Sequence, residues 1–234
     1  MIRALAIETS GRIGSIAVAG DGSVLASDQF PHGLQHAAQI LSRIDALCRA
    51  HRLSPGDLDE LYLSIGPGSF TGLRIGVTLA KTLALATGVK VVAAPSVEVL
   101  VRNAPADASN AIVVLDAKRD QIFTARFSRG VDGEWRVEEA ARLDSLAAML
   151  ARSPRPVHLL GEGLPQHEKF IPPGDDGVLK TNPESWRARA EIVVELGYAM
   201  ARRGDFADAN SLTPIYIRKP EAEEKWEQRE RDKQ

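Results

Sequence analysis

The run Gly66-Pro67-Gly68-Ser69-Phe70-Thr71-Gly72-Leu73-Arg74-Ile75-Gly76 constrains this chain more than any other stretch. An apolar segment at 61–65 precedes it and a longer one at 77–85 follows it. The pattern is a strand, a glycine-rich turn and a helix start. Glycines allow close backbone approach, and exposed N–H groups at a helix N-terminus favour an anion. Ser69 and Thr71 both suit an N-cap. Two readings follow: a phosphate cradle, or a tight connection packed against neighbouring backbone. The common nucleotide fingerprints do not fit. A P-loop needs a lysine after its last glycine, and none lies between Gly66 and Gly76. The Rossmann spacing is one residue too long here, and that motif belongs after a first strand.

Hydrophobic periodicity organises the rest. Strands are expected over 3–8, 13–19 and 23–30, with a Gly20-Asp21-Gly22 turn between the last two. A helix follows over 35–51, a strand over 61–65, a helix over 72–87 ended by Gly88, a strand over 89–93, and a short helix over 95–101. The order β-β-β-α-β-α-β fills the first hundred residues. A polar stretch at 103–110 reads as a boundary. Beyond it, strands are expected over 112–115, 122–127 and 157–160, and helices over 142–151 and 185–203, with loops at 172–174 and 175–177. Two β-rich units with similar openings suggest a duplicated lobe. The expected units are 1–104, 105–218 and a charged tail at 219–234.

Composition excludes several classes. The net charge of −2 gives no overall basic excess for gripping nucleic acid alone. The single cysteine, Cys48, permits no internal disulfide and falls at an apolar helix position, so a buried thiol is expected. No Cys-x-x-Cys zinc pattern, signal peptide or membrane-length apolar run is present, which points to the cytoplasm and no membrane partner.

The stretch Gly66 to Gly76, with Lys81 and Ala84 beyond it, resembles the signature of the bacterial TsaB family. Leu5-Ala6-Ile7-Glu8-Thr9-Ser10 is similar to that family's first strand. His36 and Leu41 fit its first helix, and Leu212-Thr213-Pro214-Ile215-Tyr216-Ile217-Arg218 resembles its C-terminal Pro-x-Tyr-x-Arg element. Glu8 in place of the commoner aspartate and the long tail are departures. The resemblance implies an actin-like (ASKHA) α/β fold of two RNase-H-like lobes with mixed sheets flanked by helices. It implies a dimerisation subunit of the machinery that makes threonylcarbamoyladenosine next to the tRNA anticodon. Its implied partners are the catalytic subunit TsaD, the ATPase subunit TsaE and a second copy through an overlapping surface, with tRNA met only through the complex. ATP or ADP belongs to the complex, with no cofactor held tightly by this chain alone. The loops implied to contact phosphate or nucleotide are Glu8, Thr9 and Ser10 with Gly66, Pro67, Gly68, Ser69, Phe70, Thr71 and Gly72. TsaD shares the glycine loop but carries a metal-binding His-x-x-x-His pair, and the matching positions here are Ser96 and Leu100, so no metal and no catalytic residue is expected.

Other histidines offer little. His32 and His36 are four apart, but Gly33 and a helix start at 35 or 36 favour surface or capping roles. His51, His158 and His167 are isolated and expected to face solvent. Ser10, Ser69 and Thr71 have no local histidine–carboxylate partner for nucleophilic work. The helix over 72–87 is apolar nearly all round, which demands burial on more than one side. The first helix covers part of it. A second chain would cover the rest, through Ile40, Ile44, Leu47, Arg74, Val77, Ala80, Lys81 and Ala84. Two functions stay open: a non-catalytic scaffold for a tRNA-modifying transferase, and a stand-alone actin-like ATPase or phosphotransferase. The second needs a second phosphate turn. The candidate, Asp116-Ala117-Lys118-Arg119-Asp120, lacks glycine and is bulky.

Overall fold

The computed structural model describes residues 1–31 and 36–218, so the pairing of His32 with His36 and the tail at 219–234 lie outside the described residues. The first unit comprises β1 (Arg3–Glu8), β2 (Ile13–Gly20), β3 (Ser23–Pro31), α1 (His36–Ala50), β4 (Glu60–Ser64), α2 (Phe70–Thr87), β5 (Lys90–Ala94) and α3 (Ser96–Val101). The second comprises β6 (Asn110–Asp116), β7 (Ile122–Arg129), β8 (Trp135–Asp144), α4 (Leu146–Ala151), β9 (Val157–Leu160), α5 (Leu164–His167) and β10 (Val178–Lys180), and α6 (Ala190–Arg202) follows.

The sheets have strand orders β3-β2-β1-β4-β5 and β8-β7-β6-β9-β10. In each, a three-stranded antiparallel meander is extended by two parallel strands. One strand order written twice is the duplicated, actin-like α/β architecture. The parallel additions need helical crossovers, which is why helices appear only after the third strand of each unit.

Central β1 shows how the layers arise. Leu5 and Ile7 enter the core beneath α1 and α2, whereas Ala4 and Ala6 enter the core shared with α6. A strand buried on both faces loses polar alternation and reads as one apolar run. The alanines leave room for α6, whose Gly197 lies so close to Tyr62 that a Cβ would come within 2.5 Å of the ring. Helices α3 and α6 therefore occupy the layer between the sheets, and α4 and α5 cover the far face of the second. Glu60, only 3% exposed, joins this layer because the Tyr62 hydroxyl and the Arg202 guanidinium both donate to its carboxylate. That pairing clamps α6 onto β4, and burial beside Glu60 pushes the Tyr62 phenol upward.

Several expected elements are corrected. The helix expected over 142–151 is strand to Asp144 and helix only from Leu146, with Ser145 as its cap, accepting the Ala148 N–H at 3.2 Å. Strand β8 was missing from the sequence reading because it is a highly charged edge strand, with Arg136, Glu138, Glu139, Arg142 and Asp144 among its ten residues. Glu139 there takes Arg126 of β7 across the sheet and Arg152 at the end of α4, and Asp144 takes Arg152 too, so these carboxylates are paired with other elements. Strand β10 is three residues long and carries no usable period. The helix expected over 185–203 divides: a 3-10 turn at Pro183–Trp186, extended backbone at Arg187, then α6 from Ala190. The Ala190 N–H donates to Ser15 Oγ at 2.9 Å, so the start of α6 is fixed by a strand 175 residues away.

Candidate functional site

The glycine loop joins β4 to α2, and its neighbours explain its glycines. A Cβ on Gly72 would lie 1.9 Å from the Thr9 carbonyl oxygen, one on Gly68 2.5 Å from that of Ser10, and one on Gly76 2.6 Å from Thr9 Oγ1. A Cβ on Gly66, at φ +115, would lie 2.7 Å from the Ile215 carbonyl oxygen. The turn Glu8-Thr9-Ser10 and the C-terminal segment thus press directly on the loop and the first turns of α2. Ser69 caps α2 by accepting the Gly72 N–H at 3.2 Å, while its own N–H donates to Ser10 O at 2.7 Å. Thr71 is exposed in the first turn and Phe70 stacks on Tyr216 with ring centroids 5.0 Å apart. The structure brings the Glu8-Thr9-Ser10 turn against the glycine loop, and protein backbone packs closely on its glycines.

The two hairpin turns facing this region are likewise occupied. Glu8 accepts the Ser10 N–H at 2.5 Å and the Ser10 hydroxyl at 2.6 Å, and Glu162 accepts the Arg12 N–H at 2.9 Å. In the second turn Asp116 accepts the Lys118 N–H at 3.1 Å. Carboxyl groups of the chain itself take the amide donors that a phosphate would need in these turns. Lys118, Arg119 and Asp120 have φ of 62, 55 and 55, a left-handed run that costs roughly 1 kcal/mol or more per residue without glycine. These residues do not fit a nucleotide.

Glu162 was not singled out from the sequence. It sits in Gly161-Glu162-Gly163 after β9, the counterpart of Gly66-Pro67-Gly68 after β4. A Cβ on Gly161, at φ +130, would lie 2.2 Å from the Val114 carbonyl oxygen. A repeat of Gly-x-Gly after an apolar strand was the available signal.

Glu8 is fully buried, and burial pushes its carboxyl up from the ordinary value, opposed by the bonds from the Ser10 hydroxyl and backbone. A raised folded-state value means that its contribution to stability is complete below the unfolded value and is lost as pH rises through the folded one. Glu8→Gln keeps an acceptor for Ser10 and carries no charge. Its melting temperature should match wild type at and below the ordinary glutamate value and exceed it by a growing margin as pH rises above that value. Thermal melts across that range test this, and a gap that does not widen with pH would overturn it.

The expected partner residues separate into two groups. Ile40, Ile44, Val77 and Ala80 are buried in the first lobe's own core, with Leu47 and Ala84 packed against it. Ile40, Ile44, Val77 and Ala80 thus face the chain's own core, while Leu47 and Ala84 stay partly exposed. The second side of α2 is covered by the returning C-terminal segment, an element the sequence reading did not place there. Lys81 Nζ donates to Asn210 O at 2.9 Å and Leu212 O at 3.3 Å, and Leu212 enters the core. The Arg74 guanidinium lies 4.0 Å from the Phe70 ring centroid, and its Nε donates to the Tyr216 hydroxyl at 3.1 Å. What α2 leaves outward is the stripe Thr71, Arg74, Thr78, Thr82 and Leu85, each about one turn from the next. Leu85 is 87% exposed, and Leu41 on neighbouring α1 is 58% exposed.

Ser96 Oγ accepts the Gly66 N–H at 2.9 Å, and Leu100 is buried in the inter-sheet core. Cys48 is buried. His158 and His167 are buried rather than solvent-facing, a correction that follows from their places on β9 and α5. His167, 1% exposed, meets Asp116 at 3.0 Å through Nε2. No helix among the described residues is long and apolar enough to cross a membrane.

Known proteins resemble this chain over most of its length. A family model described as TsaD, tRNA N6-adenosine threonylcarbamoyltransferase, matches residues 33–173. The tRNA threonylcarbamoyladenosine biosynthesis protein TsaB of Bacillus subtilis is 30% identical over 226 residues, covering 95% of this chain and 96% of that protein. The protein of the same name from Escherichia coli K12 is 30% identical over 141 residues, 59% of this chain and 60% of that one. Among solved structures, YeaZ from Pseudomonas aeruginosa superposes with a TM-score of 0.78 at 23% identity, covering 92% of this chain and all of that chain.

Proposed function

This chain belongs to the TsaB family of tRNA threonylcarbamoyladenosine biosynthesis proteins, and within that pathway we propose that it is the non-catalytic scaffold of the transferase. It holds the metal-dependent catalytic subunit TsaD, and the complex, with the ATPase subunit TsaE, modifies the adenosine beside the anticodon. The observation that carries this reading is the packing at the two positions where TsaD has its histidine pair. Ser96 is spent on the Gly66 N–H and Leu100 on the core, and neither side chain is a metal ligand of that kind.

Contact with the catalytic subunit runs over the outer faces of α1 and α2, including Leu41, Arg74, Thr78 and Leu85, with the buried Ile40, Ile44, Val77 and Ala80 shaping the face from below. A helical bundle across it would bury about 800 Å² per partner, the usual size of a specific contact. A second copy of this chain would use the same face, so the two pairings compete. The division near residue 104 belongs to the same reading, with α6 counted in the first lobe because it packs on that lobe's sheet. The complex works in the cytoplasm and meets tRNA without any binding by this chain alone. Nucleotide belongs to the other subunits, since both hairpin turns here are occupied by carboxylates.

Reconstitution tests this directly. The chain is mixed with its catalytic relative, the ATPase subunit, ATP, threonine-derived donor and tRNA, and each component is left out in turn. Threonylcarbamoyl transfer is expected to vanish without this chain and to be absent with this chain alone. Transfer by the chain alone would overturn the reading.

A further inference from the structure

We propose that residues Pro214 to Arg218 form a two-ended brace that couples the setting of the two lobes to the first turn of α2. One end is fixed to the first lobe. The Ile215 N–H donates to Ile65 O at 2.7 Å, and the Ile215 carbonyl rests on Gly66. Tyr216 packs on Phe70, and Arg74 both covers Phe70 and donates to the Tyr216 hydroxyl. The other end is fixed to the second lobe. Arg218 Nη1 donates to Ala117 O at 2.6 Å and Nη2 donates to Gln121 Oε1.

Three features make this a device rather than a trailing segment. Arg218 grips the two residues that flank the left-handed run Lys118-Arg119-Asp120, whose conformation needs outside support to persist. The span between the two anchors is three residues, Ile215 to Arg218, too short to absorb a change in lobe spacing by slack. A separate tie, the Arg12 N–H to Glu162 at 2.9 Å, also joins the two lobes. Beyond the core that the sheets share through α3 and α6, these two ties add resistance to hinge motion of one lobe against the other. Opening the lobes must therefore pull on Tyr216, and through it on Arg74 at the head of the outward stripe of α2. That coupling is reciprocal by linkage: whatever fixes Arg74 also resists opening. Only the link to partner binding rests on the function proposed above; the brace does not.

Hydrogen exchange on the full isolated chain tests it. Arg218→Ala is expected to speed exchange about tenfold both at 117–121 and, across the cleft, at the Ile215 and Gly66 amides, with an unchanged melting midpoint. Arg218→Lys, which cannot bridge both acceptors, should give a smaller change at the same places. Gln121→Ala removes one contact without touching the strap. It should speed exchange at Ile215 as well, and it serves if Arg218→Ala fails to fold. Acceleration confined to 117–121 in these variants would overturn the brace. Because no partner is present, that outcome is distinguishable from failure of the reconstitution.

Discussion

Ala80→Glu is expected to unfold this chain, and Leu85→Glu to leave it folded but unable to pair with its catalytic relative. The two positions lie on one helix, five residues apart. Ala80 is 0% exposed and sits in the core with Val77 and Ile44. A glutamate there must bury a carboxylate with no cation to meet it, because Lys81 next door is already held by Asn210 and Leu212. Such a charge costs several kcal/mol, and the added volume costs about 1–3 more. Set against a total stability of about 5–15 kcal/mol, that is enough to abolish the folded state or lower its melting point severely. Ile44→Glu should behave the same way. Leu85→Glu exposes no new apolar surface, so its melt should stay within about 0.5 kcal/mol of wild type. In a helical contact with the catalytic relative it would bury a carboxylate, and a loss of about 3 kcal/mol there weakens binding by more than a hundredfold. Circular dichroism with heating reads the first effect, and sedimentation with the relative reads the second. A folded Ala80→Glu protein would contradict the core assignment, and Leu85→Glu binding at wild-type strength would move the contact off this face.

Gly72→Ala is expected to destabilise by about 2–3 kcal/mol, although alanine is the better helix former by about 1 kcal/mol. The added methyl group would meet the Thr9 carbonyl oxygen at 1.9 Å, and that oxygen belongs to backbone in a tight turn rather than to a flexible side chain. Either α2 or the β1–β2 turn must shift, and the Ser69-to-Ser10 bond shifts with it. For a chain of this size the melting temperature should fall by about 5–10 °C. Gly56→Ala is the control, because nothing lies within 4 Å of its would-be Cβ. A Gly72→Ala melt equal to that of Gly56→Ala would mean that Thr9 does not rest on the helix.

Local chemistry carried much of the fold into the sequence. The expected spans 3–8 and 157–160 coincide with β1 and β9, because each is a short apolar run bounded by turn residues. Helix α2 is recognisable from Ser69 as its cap and Gly88, at φ +73, as its stop. The expected start at residue 72 rather than Phe70 follows from giving the glycine more weight than the cap. Edge strands β8 and β10 were illegible for physical reasons: an edge strand with one solvated face can be built largely from charged residues, as β8 is, and three residues, as in β10, carry no period.

The site divides along the same line. Residue types and spacing by themselves determined that a strand, a glycine loop and an apolar helix follow one another, and that close backbone approach occurs there. They also carried the family. What approaches the glycines was decided only by tertiary structure. Thr9 and Ser10 lie some sixty residues from Gly68 and Gly72, Ile215 lies 149 residues from Gly66, and Glu162 lies 150 residues from Arg12. Helical periodicity states which residues share a face, and so it grouped Ile44, Val77 and Ala80 correctly as apolar. It does not state whether that face meets the chain's own sheet or another molecule, because apolar contact is non-directional and either surface satisfies it. The sheet beneath α1 and α2, and the C-terminal segment returning along α2, made that choice. They left Leu85 and Leu41 outside, and Ala80 within.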